Sequence, residues 1–130
     1  MLLDRMLVTL PVALAAAALM MVMRPAAQDP AAIQRGAAIF AGKGMCHVCH
    51  GPAGKGTPLA PNLTDSVWLN IAQPTPASID SLIRRGVAKP KQHPTPMPPM
   101  GGASLGEAEI RDVSLFVFSL GPRAGNQPRS

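Results

Sequence analysis

Cys46-His47-Val48-Cys49-His50 is the segment whose residue types and spacing carry the most specific chemistry in the chain. Two thiols three positions apart can each add across one vinyl group of a haem. The imidazole directly after the second thiol then falls beneath the iron as an axial ligand. Three other fates exist for such a pair: a disulfide, a thioredoxin-like redox couple, or half of a zinc site. The flanking sequence lacks the strand–helix pattern of a thioredoxin. A closed zinc site needs four ligands, and the remaining His residues are dispersed. Covalent haem attachment through Cys46 and Cys49, with His50 on the iron, is therefore the expected chemistry. His47 lies within the same loop, faces away from the iron if His50 faces it, and is expected at the surface.

The opposite face of an iron held this way needs a ligand from elsewhere. Two thioethers stand in the run Thr95-Pro96-Met97-Pro98-Pro99-Met100. A neutral, soft sulfur favours ferrous iron and raises the potential relative to a second imidazole. Proline on both sides of Met97 restricts the backbone, so a loop without ladder hydrogen bonds could present sulfur with little entropy left to lose. Met97 is the expected ligand, with Met100, His93 or an open position as the alternatives. Filling a gap in the core is the commonest role of Met and competes with ligation for either residue.

These residues need elements to hold them, and the chain offers few large side chains for the purpose. In 130 residues there are no Tyr, one Trp and three Phe, against fifteen Pro and twelve Gly. Such a chain is rich in loops and poor in core, and a rigid apolar cofactor at its centre would make up the shortfall. Asp4 and Arg5 precede an uncharged run from Met6 to Met23, so residues 1–27 are expected to be a cleaved secretory signal or an N-terminal membrane anchor. Either places the remainder outside the cytoplasm, as a periplasmic domain that is soluble or tethered to the inner membrane.

Residues 28–122 read as one all-α domain of about three core helices and long loops. Asp29-Pro30 and Thr75-Pro76 each pair an N-cap with proline at the first helical position, predicting helices over 30–41 and 76–85. Ser104 and Glu107 have capping-box spacing before Leu105, Ile110, Val113, Phe116, Val117 and Leu120, which predicts a third helix over 105–120. No segment alternates apolar and polar residues over strand length. The tail 123–130 is expected to be disordered.

Taken in order, these pieces resemble the class I monohaem cytochrome c family from Asp29 to Leu120. The match consists of Gly36 and Phe40, the Cys46–His50 motif, Pro61-Asn62-Leu63, Met97-Pro98, and a final helix bearing Phe116. The resemblance implies a small cytochrome c fold around one covalent haem c. It also implies that Gly36 lets the terminal helices cross closely, with Phe116 at the crossing. It assigns the Pro61 carbonyl as acceptor of the His50 Nδ1 hydrogen, counts Leu63 among the cofactor-binding residues, and favours Met97 over Met100. Trp68 would lie near the haem edge, donating to a propionate or simply packing. Residues 46–56 and 61–69 look especially like bacterial cytochrome domains that serve respiratory oxidases and dehydrogenases. The segment between Gly86 and Met97 departs from the family in being longer and richer in proline.

The expected function is one-electron transfer with His50 and Met97 as axial ligands, without enzymatic bond-breaking. The chain would act as a free carrier or, alternatively, as a tethered electron-transfer subunit of a dehydrogenase or terminal oxidase; a haem sensor or peroxidase is a further alternative. From Gln28 onward ten Lys and Arg oppose six Asp and Glu. Two propionates would reduce this +4 to about +2. Lys43, Lys55, Arg84, Arg85, Lys89 and Lys91 flank the motif and Met segments and could form a ring that steers an acidic redox partner. An exported, aromatic-poor chain is not expected to bind nucleic acid.

Overall fold

Local chemistry starts each long helix, and the computed structural model shows how, describing residues 25, 27 and 29–122. The expectations for the leader and for the tail 123–130 lie outside the described residues. Helix α1 (Pro30–Ala41) begins where the Asp29 carboxylate accepts from the Ala31 amide at 3.0 Å. Helix α2 is the single turn Cys46–His50. Helix α3 (Pro76–Arg85) opens on a reciprocal box, with the Ser78 amide donating to Thr75 Oγ1 at 3.0 Å and the Thr75 amide to Ser78 Oγ at 2.9 Å. A short 3-10 turn, Pro99–Gly102, precedes helix α4 (Glu107–Leu120). Both prolines stand at the first helical position, where an absent N–H costs nothing.

The start of α4 differs from the sequence expectation by one capping register. Gly106, not Ser104, is the N-cap, and its amide donates to the Glu109 carboxylate at 2.8 Å. The same carboxylate holds Lys43 at 2.8 Å, which ties the start of α4 to the loop after α1. Two capping spacings were available, Ser104 with Glu107 and Gly106 with Glu109, and the tertiary contact to Lys43 accompanies the second.

Helices α1 and α4 cross at Gly36. A Cβ placed there would lie 2.1 Å from the Asp112 carbonyl oxygen and 2.7 Å from Phe116 Cβ, so only glycine allows this approach. Phe40 and Phe116 meet edge to face beside the crossing, with centroids 5.3 Å apart. Arg35 clamps the crossing from outside, its Nε 2.6 Å from Asp112 Oδ2. Phe40, Ile79, Ile83, Ile110, Val113 and Val117 form the buried core, joining α1, α3 and α4. The described residues contain no strand. Their only paired extended backbone is an isolated antiparallel bridge between Val87 and Met97.

Candidate haem site

Helical geometry brings the motif residues to one side. Residues three and four apart share a helix face, so in α2 the Cys46 and Cys49 sulfurs and the His50 ring gather together. The sequence reading took this segment as a loop, because five residues are too few to show a period. Met45 enters the turn in the left-handed region at φ 53° and Gly51 leaves it at φ 83°. The two thiols are not joined to each other, and burial pushes the Cys46 thiol above its ordinary value. Among the described residues no three His, Cys, Asp or Glu side chains cluster as a metal site would require. The zinc reading therefore has no set of ligands here.

His47 corrects the expectation of a plain surface residue. It is half-buried, and its Nδ1 donates to the Phe40 carbonyl at 3.2 Å, satisfying one of the carbonyls left open at the end of α1.

The His50 ring is fixed by a partner eleven residues on: its Nδ1 lies 2.9 Å from the Pro61 carbonyl oxygen. A carbonyl can only accept, so Nδ1 carries the hydrogen and the Nε2 lone pair is left free. Nε2 makes no hydrogen bond among the described residues. Burial, ahead of every other influence, holds the imidazole pKa below its ordinary value and so keeps it neutral, as a ligand must be. The intervening loop is braced to deliver that carbonyl. Leu63 N donates to Gly54 O at 2.7 Å, Gly56 N to His50 O at 2.7 Å, and Thr57 Oγ1 to Cys49 O at 2.5 Å.

Beside His50 opens a mostly apolar cavity that reaches solvent. Of the residues expected at the cofactor, Cys46, His50, Pro61, Leu63, Trp68 and Met97 all line it. Cys49 lines a smaller recess that also touches Cys46, His50 and Met97. Phe40, Ile79, Leu82, Ile83, Val113 and Val117, drawn from α1, α3 and α4, complete an apolar wall. Met100 lines neither space. It is partly buried against the core with a left-handed backbone at φ 54°. His93 does reach the cavity, its ring 3.5 Å from the Pro58 carbonyl. The Trp68 indole makes no hydrogen bond among the described residues.

Met97 is held more firmly than expected. In place of a loop free of ladder bonds, Val87 N donates to Met97 O at 2.8 Å and Met97 N to Val87 O at 3.0 Å. Sequence reasoning missed Val87 altogether, since nothing local marks a residue ten positions from its partner.

The donor set suits a haem. A neutral imidazole with a free Nε2, a thioether and one free thiol border the mostly apolar cavity, with the second thiol in the recess that adjoins it, which is the combination that axial ligation, thioether attachment and a porphyrin face require. An all-helical fold that closes around such a space, with Cys-x-x-Cys-His as one helical turn at its edge, is that of a small c-type cytochrome domain. Comparison with known proteins narrows the class further. The chain belongs to the family described as cytochrome c oxidase, cbb3-type, subunit III, whose model matches residues 31–117.

Similar proteins include a cbb3-type cytochrome c oxidase subunit FixPc from Rhizobium leguminosarum, 33% identical over 95 residues covering 72% of this chain. The subunit CcoP of Cereibacter sphaeroides is 38% identical over 96 residues covering 72% of this chain. The CcoP of Rubrivivax gelatinosus is 33% identical over 101 residues covering 78%. The chain spans only 29% to 30% of the length of these relatives. No solved structure matches it.

Proposed function

We propose that this chain is the haem c-bearing electron-transfer domain of a cbb3-type terminal oxidase subunit, working on the periplasmic side of the membrane. The observation that carries the chemistry is the meeting of His50, Met97 and the motif cysteine Cys46 around one apolar cavity. The relatives, named as oxidase subunits, favour a subunit over a freely diffusing carrier. Residues 1–27 serve in this reading as the signal or the tether.

Each residue has a definite part. Cys46 and Cys49 would hold the haem covalently, each thiol adding across one vinyl group. His50 offers Nε2 to the metal, while the Pro61 carbonyl fixes the ring and strengthens its donation. Met97 would supply a neutral sulfur to the iron, and Leu63 and Trp68, which line the cavity, would bind the ring. The walls from α1, α3 and α4 exclude water, which lowers the reorganisation that accompanies a change of charge. Bound there, one haem c supplies reversible Fe(III)/Fe(II) chemistry. Held by both His50 and Met97, such a group would pass single electrons and break no bond in a substrate.

The full chain, produced in a host that attaches haem c, tests this reading. One haem that survives acid–acetone extraction is expected, with a Met–iron charge-transfer band in the ferric spectrum and copurification with the membrane oxidase. A colourless protein, or one carrying zinc or a disulfide, would refute the haem assignment. An open sixth position that binds peroxide would point to a sensor or peroxidase. A holoprotein that never accompanies membranes would return the free carrier.

A further inference from the structure

One close neighbour of the Met97 segment does not line the cavity. Gly86 ends α3 at φ +69°. A Cβ built on it would lie 2.4 Å from the Met97 carbonyl oxygen, 2.8 Å from the Pro98 carbonyl carbon and 2.8 Å from the Pro99 nitrogen. All three are backbone atoms, so no rotamer change could relieve the contact. The next residue, Val87, exchanges both backbone hydrogen bonds with Met97. Proline flanks Met97 on each side, and proline has no N–H with which to build an alternative ladder. The bond pair at Val87 is therefore the sole backbone hydrogen bonding of the Met97 residue itself among the described residues.

We propose that Gly86 and Val87 form a clamp that sets the distance between α3 and the Met97 backbone, making Gly86 the positioning residue for the sixth ligand. This rests on the reading of Met97 as that ligand. Close approach requires the missing side chain of Gly86, and direction is set by the two bonds of Val87. With α3 anchored in the core through Ile79 and Ile83, the clamp ties the Met97 backbone to the buried core. The long Pro-rich stretch from Ala88 to Pro96 runs between Val87 and Met97 and itself lends Pro90, His93 and Thr95 to the cavity lining, so a loop of unusual length still leaves Met97 in the cavity.

Gly102 provides the matched control. Its φ is +83°, yet a Cβ there meets nothing closer than Pro98 Cγ at 3.7 Å. Gly102→Ala thus also places a side chain at positive φ, in the turn that follows the Met97 segment, without the collision. The experiment compares ferric holoproteins of the full chain as wild type, Gly86→Ala, Gly102→Ala and Met97→Ala, reading the Met–iron band and the affinity for added imidazole. Gly86→Ala should lose the band and bind imidazole about tenfold or more tightly, because a larger fraction of molecules then has an open iron. Haem attachment and helix content should be retained, and Gly102→Ala should behave as wild type.

A Gly86→Ala protein that keeps the band, while Met97→Ala loses it, overturns the clamp and leaves the ligand assignment standing. Loss in both glycine variants also overturns it, by making strain the cause. A Met97→Ala protein that keeps the band removes the ligand assignment itself. Should Gly86→Ala yield no holoprotein, amide exchange in the wild type decides: Val87 and Met97 must exchange about tenfold or more slowly than Lys89 and Gln92. Equal rates overturn the clamp.

Discussion

At the scale of single residues, the two candidate thioethers separate by what surrounds their backbones. Met97 lines the cavity and is held on both its amide and its carbonyl, whereas Met100 sits in a 3-10 turn with its side chain against the core. Met97→Ala should erase the Met–iron band, lower the potential by destabilising Fe(II), and open the iron to carbon monoxide or cyanide. Met100→Ala should keep the band and lose stability only, by about 2–5 kcal/mol at most for a Met trimmed from a packed site. Absorption spectra and potentiometric titration of the two variants check this, and the opposite outcome would place the ligand three residues on. The motif, Pro61 and Met97 were legible because each is a type with a chemical reason to stand where it does. What could not be read was the mechanism of presentation. The sequence suggested that prolines alone stiffen Met97, but its two bonds to Val87 come from a chain segment whose approach is set by tertiary packing.

Among the elements, helix ends were legible wherever a cap and a proline adjoin, as at Asp29-Pro30 and Thr75-Pro76. The start of α4 was not, because the choice between two glutamate boxes involves Lys43, distant in sequence. The α1–α4 crossing followed from one glycine and one aromatic, and its geometry gives it a measurable cost. With the Asp112 carbonyl oxygen 2.1 Å from where a Cβ at Gly36 would stand, Gly36→Val must drive the helices apart or bend them. Overpacking of this kind costs about 1–3 kcal/mol, a large share of the stability of a small domain. Denaturant unfolding of the holoprotein should show that loss. An unchanged midpoint would mean that the helices do not approach this closely in solution.

For the molecule as a whole, the expected ring of cations is partly cancelled. Lys43 is paired with Glu109 at 2.8 Å, and Arg84 with Asp80 at 2.5 Å and Glu107 at 2.7 Å. Among the described residues, Arg85 bonds only the Ser81 hydroxyl, and Lys55, Lys89 and Lys91 have no carboxylate partner. A paired lysine and glutamate act at a distance as a dipole, whose field falls faster than that of a lone charge and is screened within about 10 Å at 0.1 M salt. Lys55 instead lines, with Asp65, an open recess that shares Pro61 and Asn62 with the main cavity, so its charge stands beside that cavity. The test is the rate of electron exchange with anionic hexacyanoferrate as ionic strength rises, since its slope reports the charge a partner senses. Lys55→Gln should flatten the slope. The double variant Lys43→Gln with Glu109→Gln should leave it unchanged, because it removes one charge of each sign while the glutamine oxygen can still accept from Gly106. If the double variant flattens the slope as much as Lys55→Gln does, Lys43 is not neutralised in solution and steering is spread over the whole ring. If neither variant changes it, the unpaired lysines lie too far from the exchange site to guide a partner, and association rests on apolar contact at the cavity mouth.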